Sequence, residues 1–198
     1  MIRAALFDIG NVILPFDFSP ALVKLRGRSA VRDLAAWEEF DALKRAYEGG
    51  QLDRAAFLAD VRQRVGYAGT DDEFVDIWKD IFAPNPPMDA VIERLHRDGL
   101  PLYLLSNTND MHVDAFRSRY PIFDRFSGAV YSHEEKHLKP DPEIFRRAIE
   151  RFSLVPVETI YVDDLAPNVK AAAALGFVAL RYDYRAHLAF EKKLWAEL

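Results

Sequence analysis

Hydrophobic positions along the chain follow two patterns. Five short runs are apolar at nearly every position: Ile2–Phe7, Leu102–Leu105, Ala129–Tyr131, Thr159–Val162 and Phe177–Leu180. Runs this short and this uniformly apolar read as strands buried on both faces of a parallel sheet. Around and between the later runs, apolar residues recur at helical spacing. Met88, Val91, Ile92 and Leu95 share one face, and Gly99 stops that helix. Asp141 and Pro142 open a second stripe as N-cap and first-turn proline, and it continues through Ile144, Phe145, Ala148, Ile149 and Phe152. Val169, Ala172, Ala173 and Leu175 make a third, closed by Gly176. Strand and helix in alternation predict an α/β fold, a doubly wound parallel sheet covered by helices on both faces.

Residues 16–85 break this rhythm, because they hold no strand candidate. Helical patterns are predicted around Leu22–Leu25, over Val31–Leu43, and through Phe57, Val61 and Val65 after Asp53. A fourth follows the capping-box pair Thr70 and Glu73 and carries Phe74, Ile77, Trp78, Ile81 and Phe82, a stripe that reads as core packing. Ala83–Pro87, "APNPP", closes the segment like a hinge. The expected organisation is a core domain of residues 1–15 and 86–198 interrupted by a four-helix insertion at 16–85.

The apolar runs end on chemistry. Asp8 follows the first, Ser106, Asn107 and Thr108 follow the second, and Asp163 and Asp164 follow the fourth. Lys139 stands two residues before the Asp141 N-cap, with Lys136 as an alternative. In an open parallel sheet, ligands bind beyond the carboxyl ends of the strands. Three carboxylates gathered there need a cation to remain ionised together. An all-oxygen ligand set beside an anion site favours Mg²⁺ over softer metals. A hydroxyl and backbone N–H groups at the helix start near Thr108 are expected to form that anion site, with Lys139 as a point charge. His112, His133 and His137 read as solvated residues rather than ligands.

Composition narrows the field. The chain has 198 residues, a formal net charge of -5 and no cysteine. That length fits one domain, or one domain with an inserted module. Disulfides and cysteine-based zinc sites are excluded, which fits a reducing cytoplasm. The mild acidity argues against nucleic acid or an anionic membrane as partner. The apolar N-terminus is interrupted by Asp8 and reads as a strand rather than a signal peptide.

Four motifs in order, "FDIGNV" (7–12), "LLSNTN" (104–109), "KP" (139–140) and "VDDLAPN" (162–168), resemble the haloacid dehalogenase superfamily, and the helical insertion resembles that family's four-helix cap. Within it the chain is most similar to sugar-phosphate phosphatases of the α-glucose-1-phosphate phosphatase kind and to the phosphatase domain of soluble epoxide hydrolases. The resemblance implies a sheet of order 5-4-1-2-3 with the Asp8 strand central. It implies a Mg²⁺-dependent phosphatase that acts on a small phosphorylated metabolite through an aspartyl-phosphate, as a cytoplasmic monomer or homodimer. Asp8 would be the nucleophile, Ser106 and Asn107 would hold the phosphoryl oxygens, and Lys139 would bridge Asp8 and the phosphate. Asp8, Asp164 and the backbone carbonyl of Gly10 would hold Mg²⁺, with Asp163 ligating through water. The alternatives are a 2-haloacid dehalogenase, using Asp8 on carbon without a metal, and a phosphate-binding regulatory protein without turnover.

Gly10 departs from the family pattern, which places an aspartate there as general acid and base. A backbone metal contact survives this change and a side-chain proton relay does not. Good leaving groups are then favoured unless another residue supplies the proton, and Asp17 is a candidate for that role.

Overall fold

The computed structural model describes residues 1–30 and 34–198, with the side chains of 34–39 outside that description. The start of the helix expected from Val31 and the side chain of Trp37 therefore lie outside the described residues. After β1 (Ala4–Phe7) come four helices: α1 (Ser19–Gly27), α2 (Leu34–Glu48), α3 (Arg54–Val65) and α4 (Asp71–Lys79). Then follow α5 (Pro86–Arg97), β2 (Leu102–Ser106), α6 (Asp110–Arg119), β3 (Gly128–Tyr131), the short α7 (Ser132–Glu135) and α8 (Pro142–Phe152). The chain finishes with β4 (Thr159–Asp163), α9 (Ala166–Ala174), β5 (Val178–Arg181) and α10 (His187–Glu197).

The five strands form one sheet in the order β3-β2-β1-β4-β5, with every neighbouring pair parallel. This is the expected order, with β1 at the centre. Strand periodicity divides its residues between two cores. Ala5 and Phe7 face a cluster that includes Met88, Val91, Ile92 and Leu95 of α5, Phe116 of α6 and Leu194 of α10. Ala4 and Leu6 face the other side, against Ile144, Phe145 and Ala148 of α8 and Ala172 of α9. β1 is two residues shorter than its apolar run: Arg3 donates its backbone N–H to Glu158 O at 2.7 Å ahead of the strand, and Ile2 only packs against the core. The helix stops at Gly99 and Gly176 have φ of 80° and 93°, the left-handed conformation that glycine adopts without a Cβ clash.

Helices α1–α4 build a third cluster of their own, in which Trp78 is fully buried among Phe40, Phe57 and Phe74. Met111 of α6 joins it, so this cluster seats directly on the sheet domain. Thr70 and Glu73 make the reciprocal capping box that their spacing predicts. The two connections between α1–α4 and the sheet pair with each other. Asp17 N–H donates to Ile81 O at 3.0 Å, and Ala83 N–H to Pro15 O at 2.8 Å. Asn85, beside this crossing, is buried and donates from Nδ2 to Val12 O and to the Tyr182 hydroxyl at 2.7 and 3.0 Å. No helix among the described residues is long and apolar enough to cross a membrane.

Candidate active site

The carboxyl ends of β1, β2 and β4 open into a crevice of about 240 Å³ that is also lined by Lys44 and Glu48 of α2 and by Phe16 and Phe82 of the two paired connections. Asp8, Gly10, Ser106, Asn107, Lys139 and Asp164 line it. Asp163 does not; it is completely buried just behind the crevice wall. The strand ends bring these residues together because β1 is flanked by β2 and β4 in parallel register, so their terminal residues share one rim.

Lys139 organises the site. Its buried ammonium donates to Asp8 Oδ1 at 2.8 Å, to Asp163 Oδ2 at 2.8 Å and to Leu105 O at 2.9 Å. All three donor positions are used, which a compact ammonium buried among carboxylates requires. Burial alone would lower the pKa of Lys139, but Asp8 and Asp163 outweigh it and the net shift is upward. Lys136, the alternative cation, is exposed and does not line the crevice.

Asp8 Oδ1 also accepts the Ile9 N–H at 2.7 Å. Burial pushes the Asp8 carboxyl upward, and Asp163 and Asp164 add to this; Lys139 opposes it without cancelling it. Asp164 is raised as well, first by burial and then by Asp163, while a 3.3 Å hydrogen bond from Asn11 Nδ2 opposes the rise. Each of Asp8, Asp163 and Asp164 offers an oxygen within 4.8 Å of the others. Burial drives Asp8 and Asp164 toward protonation, which a hard cation would relieve, and the oxygen donors of the cluster fit Mg²⁺.

Asp163 is held by its surroundings. Oδ1 accepts from Leu165 N–H at 2.8 Å and Asn168 Nδ2 at 3.0 Å; Oδ2 accepts from Lys139 Nζ at 2.8 Å and the Tyr161 hydroxyl at 2.5 Å. Tyr161 and Asn168 escaped the sequence reading. Their spacing carried a signal, since Tyr161 lies two residues before Asp163 on the same strand face and Asn168 falls in the first turn of α9.

Asn107 sits in the crevice wall, but its side-chain amide is engaged. Nδ2 donates to Lys139 O at 3.0 Å, and Oδ1 accepts Lys139 N–H at 2.8 Å. This reciprocal pair fixes the Lys139 backbone against the end of β2. The expected anion site at the helix start near Thr108 needs correction. Thr108 N–H is not free, because it donates to Ser132 Oγ at 3.0 Å. The helix itself begins at Asp110, and the Asn109 side chain caps it by accepting His112 N–H at 3.1 Å.

His112 is also corrected. It is buried rather than solvated, stacked on Trp78 at 5.3 Å between ring centroids, and burial lowers its pKa to about 3. Both ring nitrogens have partners, Nδ1 with Asn109 Nδ2 at 3.1 Å and Nε2 with Trp78 O at 3.2 Å. The stack ties α6 to α4. His133 and His137 are half-buried and pair with Thr108 O and Asp141 Oδ2. None of the three belongs to the carboxylate cluster.

Asp17 is exposed, does not line the crevice and accepts Ser19 N–H at 2.8 Å just ahead of α1. That bond lowers its pKa, so it is held ionised, the opposite of what an acid needs. At Gly10, a Cβ would stand 2.8 Å from Cε1 of Phe16. The ring fills the space a side chain would take, so glycine is matched to this packing.

Helix α2 contributes Lys44 and Glu48, one turn apart, to the crevice. Helical phasing alone did not reveal which face of α2 turns toward the sheet. Burial pushes the half-buried Glu48 carboxyl up to about 7, against Lys44 and Arg45.

A sesquiterpene phosphatase from Aspergillus oryzae is 26% identical over 184 residues, covering 90% of this chain and 88% of that protein. A D-ribitol-5-phosphate phosphatase from Bacteroides thetaiotaomicron is 29% identical over 188 residues, covering 89% of this chain and 90% of that one. A haloacid dehalogenase family enzyme from Bacteroides thetaiotaomicron, solved with magnesium and inorganic phosphate, superimposes with a TM-score of 0.84 at 26% identity, covering 95% of this chain and 99% of that chain. The family model for haloacid dehalogenase-like hydrolases matches residues 2–176, and the chain belongs to that family.

Proposed function

We propose that this phosphoric monoester hydrolase is a Mg²⁺-dependent phosphatase that hydrolyses a small phosphorylated metabolite through an aspartyl-phosphate on Asp8. The observation that carries the reading is the ion-paired Asp8–Lys139–Asp163 row at the strand ends, with Asp164 beside it. Lys139 and Ile9 N–H fix Asp8 Oδ1, which orients the carboxylate for in-line attack and leaves Oδ2 for the phosphorus. Ser106 Oγ and backbone N–H groups at the end of β2 would receive phosphoryl oxygens, with the Asn107 amide kept for Lys139. Asp8, Asp164 and the Gly10 carbonyl would hold Mg²⁺, and Asp163 would reach it through water. The metal would neutralise charge on the phosphoryl group. Residues 16–85 would act as the cap that closes over the crevice and selects the leaving group. The ribitol-phosphate specificity of one relative favours a polyol or sugar phosphate.

This division of labour separates two neighbouring aspartates. Asp164→Asn raises the Mg²⁺ concentration for half-maximal activity by about 10-fold or more and leaves thermal stability unchanged. Asp163→Asn leaves Lys139 paired with Asp8 but puts an amide where a buried carboxylate accepts from Lys139, Tyr161, Leu165 N–H and Asn168, at a cost of about 1–3 kcal/mol, roughly 2–12 °C in Tm for this chain length. Metal titrations of activity and thermal melts of both variants check this; a larger metal defect in Asp163→Asn would exchange the two roles.

A further inference from the structure

An alcohol leaving a phosphoryl centre needs a proton, and this chain carries Gly10 where most phosphatases it resembles carry an aspartate. The Phe16 ring occupies the space beside Gly10, so no nearby side chain steps into that volume. Among the described residues lining the crevice, the carboxyl groups are Asp8, Asp164 and Glu48. The first is the nucleophile and the second the metal ligand in the reading above. Lys139 is committed to its carboxylates, and His112 has a partner at each ring nitrogen.

Glu48 is held in place by a built junction. It is the last residue of α2, and its backbone carbonyl accepts from Ser132 Oγ at 2.5 Å. Ser132 Oγ also accepts the Thr108 N–H, so the end of α2 is tied to the loop that follows Ser106 and Asn107. One residue earlier, the Tyr47 hydroxyl donates to Asp110, which Arg54 also binds at 2.7 Å. Glu48 thus lines the crevice from the helical insertion, whereas Asp8 and Asp164 line it from the strand ends.

We propose that Glu48 is the general acid and base of this enzyme, delivered from the helical insertion in place of the missing side chain at position 10; this rests on the phosphatase reading. In the first step the bond from Asp8 Oδ to phosphorus forms. The bond from phosphorus to the alcohol oxygen breaks, its electron pair stays on that oxygen, and the Glu48 proton neutralises it. In the second step water attacks the aspartyl-phosphate phosphorus and passes a proton to the Glu48 carboxylate. Asp8 departs as carboxylate and inorganic phosphate is released. The charged groups around Glu48 are Lys44, Arg45 and Asp41 on its own helix, with Asp8, Asp164 and Lys139 across the crevice. Burial keeps the Glu48 proton available near neutrality.

The test is Glu48→Gln on two substrates, p-nitrophenyl phosphate, whose phenolate leaves without a proton, and glycerol 3-phosphate, whose alkoxide does not. Because kcat/KM reports steps only through departure of the alcohol, its ratio isolates the acid. The expected result is a rise of about 10²-fold in the kcat/KM ratio of the first substrate to the second, with a burst of p-nitrophenol as the slower second step becomes limiting. Glu48→Asp, which keeps a proton, gives a smaller rise. An unchanged ratio in Glu48→Gln, whether activity is kept or lost on both substrates, overturns the proposal, as do equal losses in the Gln and Asp variants. A wild-type enzyme that releases phosphate from neither substrate overturns the phosphatase reading and this proposal with it.

Discussion

Asp8→Asn abolishes phosphate release, lowering kcat by about 10⁴-fold or more, and does so without harming the fold. An amide is a poor nucleophile toward phosphorus, and the other carboxylate on Lys139, Asp163, is fully buried behind the crevice wall with both oxygens hydrogen-bonded. The stability half of this expectation comes from electrostatics. Burial raises the Asp8 pKa, so the ionised carboxylate is held in the folded state at a cost. Removing that charge leaves Lys139 paired with Asp163 and Leu105 O. Thermal melts of Asp8→Asn should therefore match the wild type or exceed it, the usual relation between a strained active-site charge and stability. Beryllofluoride, which mimics the phosphoryl group on a carboxylate, should bind the wild type and not the variant.

Lys139→Met has the reverse profile, because it removes the cation and leaves two buried carboxylates behind. Breaking a buried ion pair from one side costs about 3–5 kcal/mol, roughly 6–20 °C in Tm at this length. The pH dependence has a definite sign. In the wild type, the Lys139 contribution is complete below the ordinary lysine value of 10.5, because its folded pKa lies higher still. In the variant, Asp8, already raised by burial and with Lys139 as its opposing charge, loses that counter-charge and titrates higher still in the folded chain than in the unfolded one. The folded state then binds more protons near neutrality, and stability rises as pH falls from 7 toward 5, more steeply than in the wild type. Melts in excess chelator across that range check the slope. A slope no steeper than that of the wild type would mean Lys139 is not the counter-ion that holds these carboxylates.

The sheet was legible because parallel strands buried on both faces announce themselves as unbroken apolar runs, and because the reactive residues sit where those runs stop. Asp8, Ser106 and Asp163 are each the residue at or just after the last buried strand position, a relation that survives small errors in strand length such as that at Ile2. Residues that act through the packing of α1–α4 were not legible in this way. Glu48 lines the crevice only because α2 presents that face, and the phase of a helix against a sheet depends on contacts such as Ser132 Oγ with Glu48 O, which join positions 84 residues apart. His112 looked like a surface histidine until Trp78, from another helix, covered it. Asp17 lies near Asp8 in the chain yet points to solvent, because the pairing of Asp17 N–H with Ile81 O turns the chain into α1 rather than back over the crevice.

Parallel release assays give the most direct test: inorganic phosphate from a panel of phosphorylated metabolites, and halide from a 2-haloacid, each with Mg²⁺ and with excess chelator. A phosphatase built on Asp8, Asp164 and Lys139 releases phosphate in Mg²⁺, none in chelator, and no halide under either condition. Halide release that persists in chelator, or phosphate release that is indifferent to the metal, would contradict it.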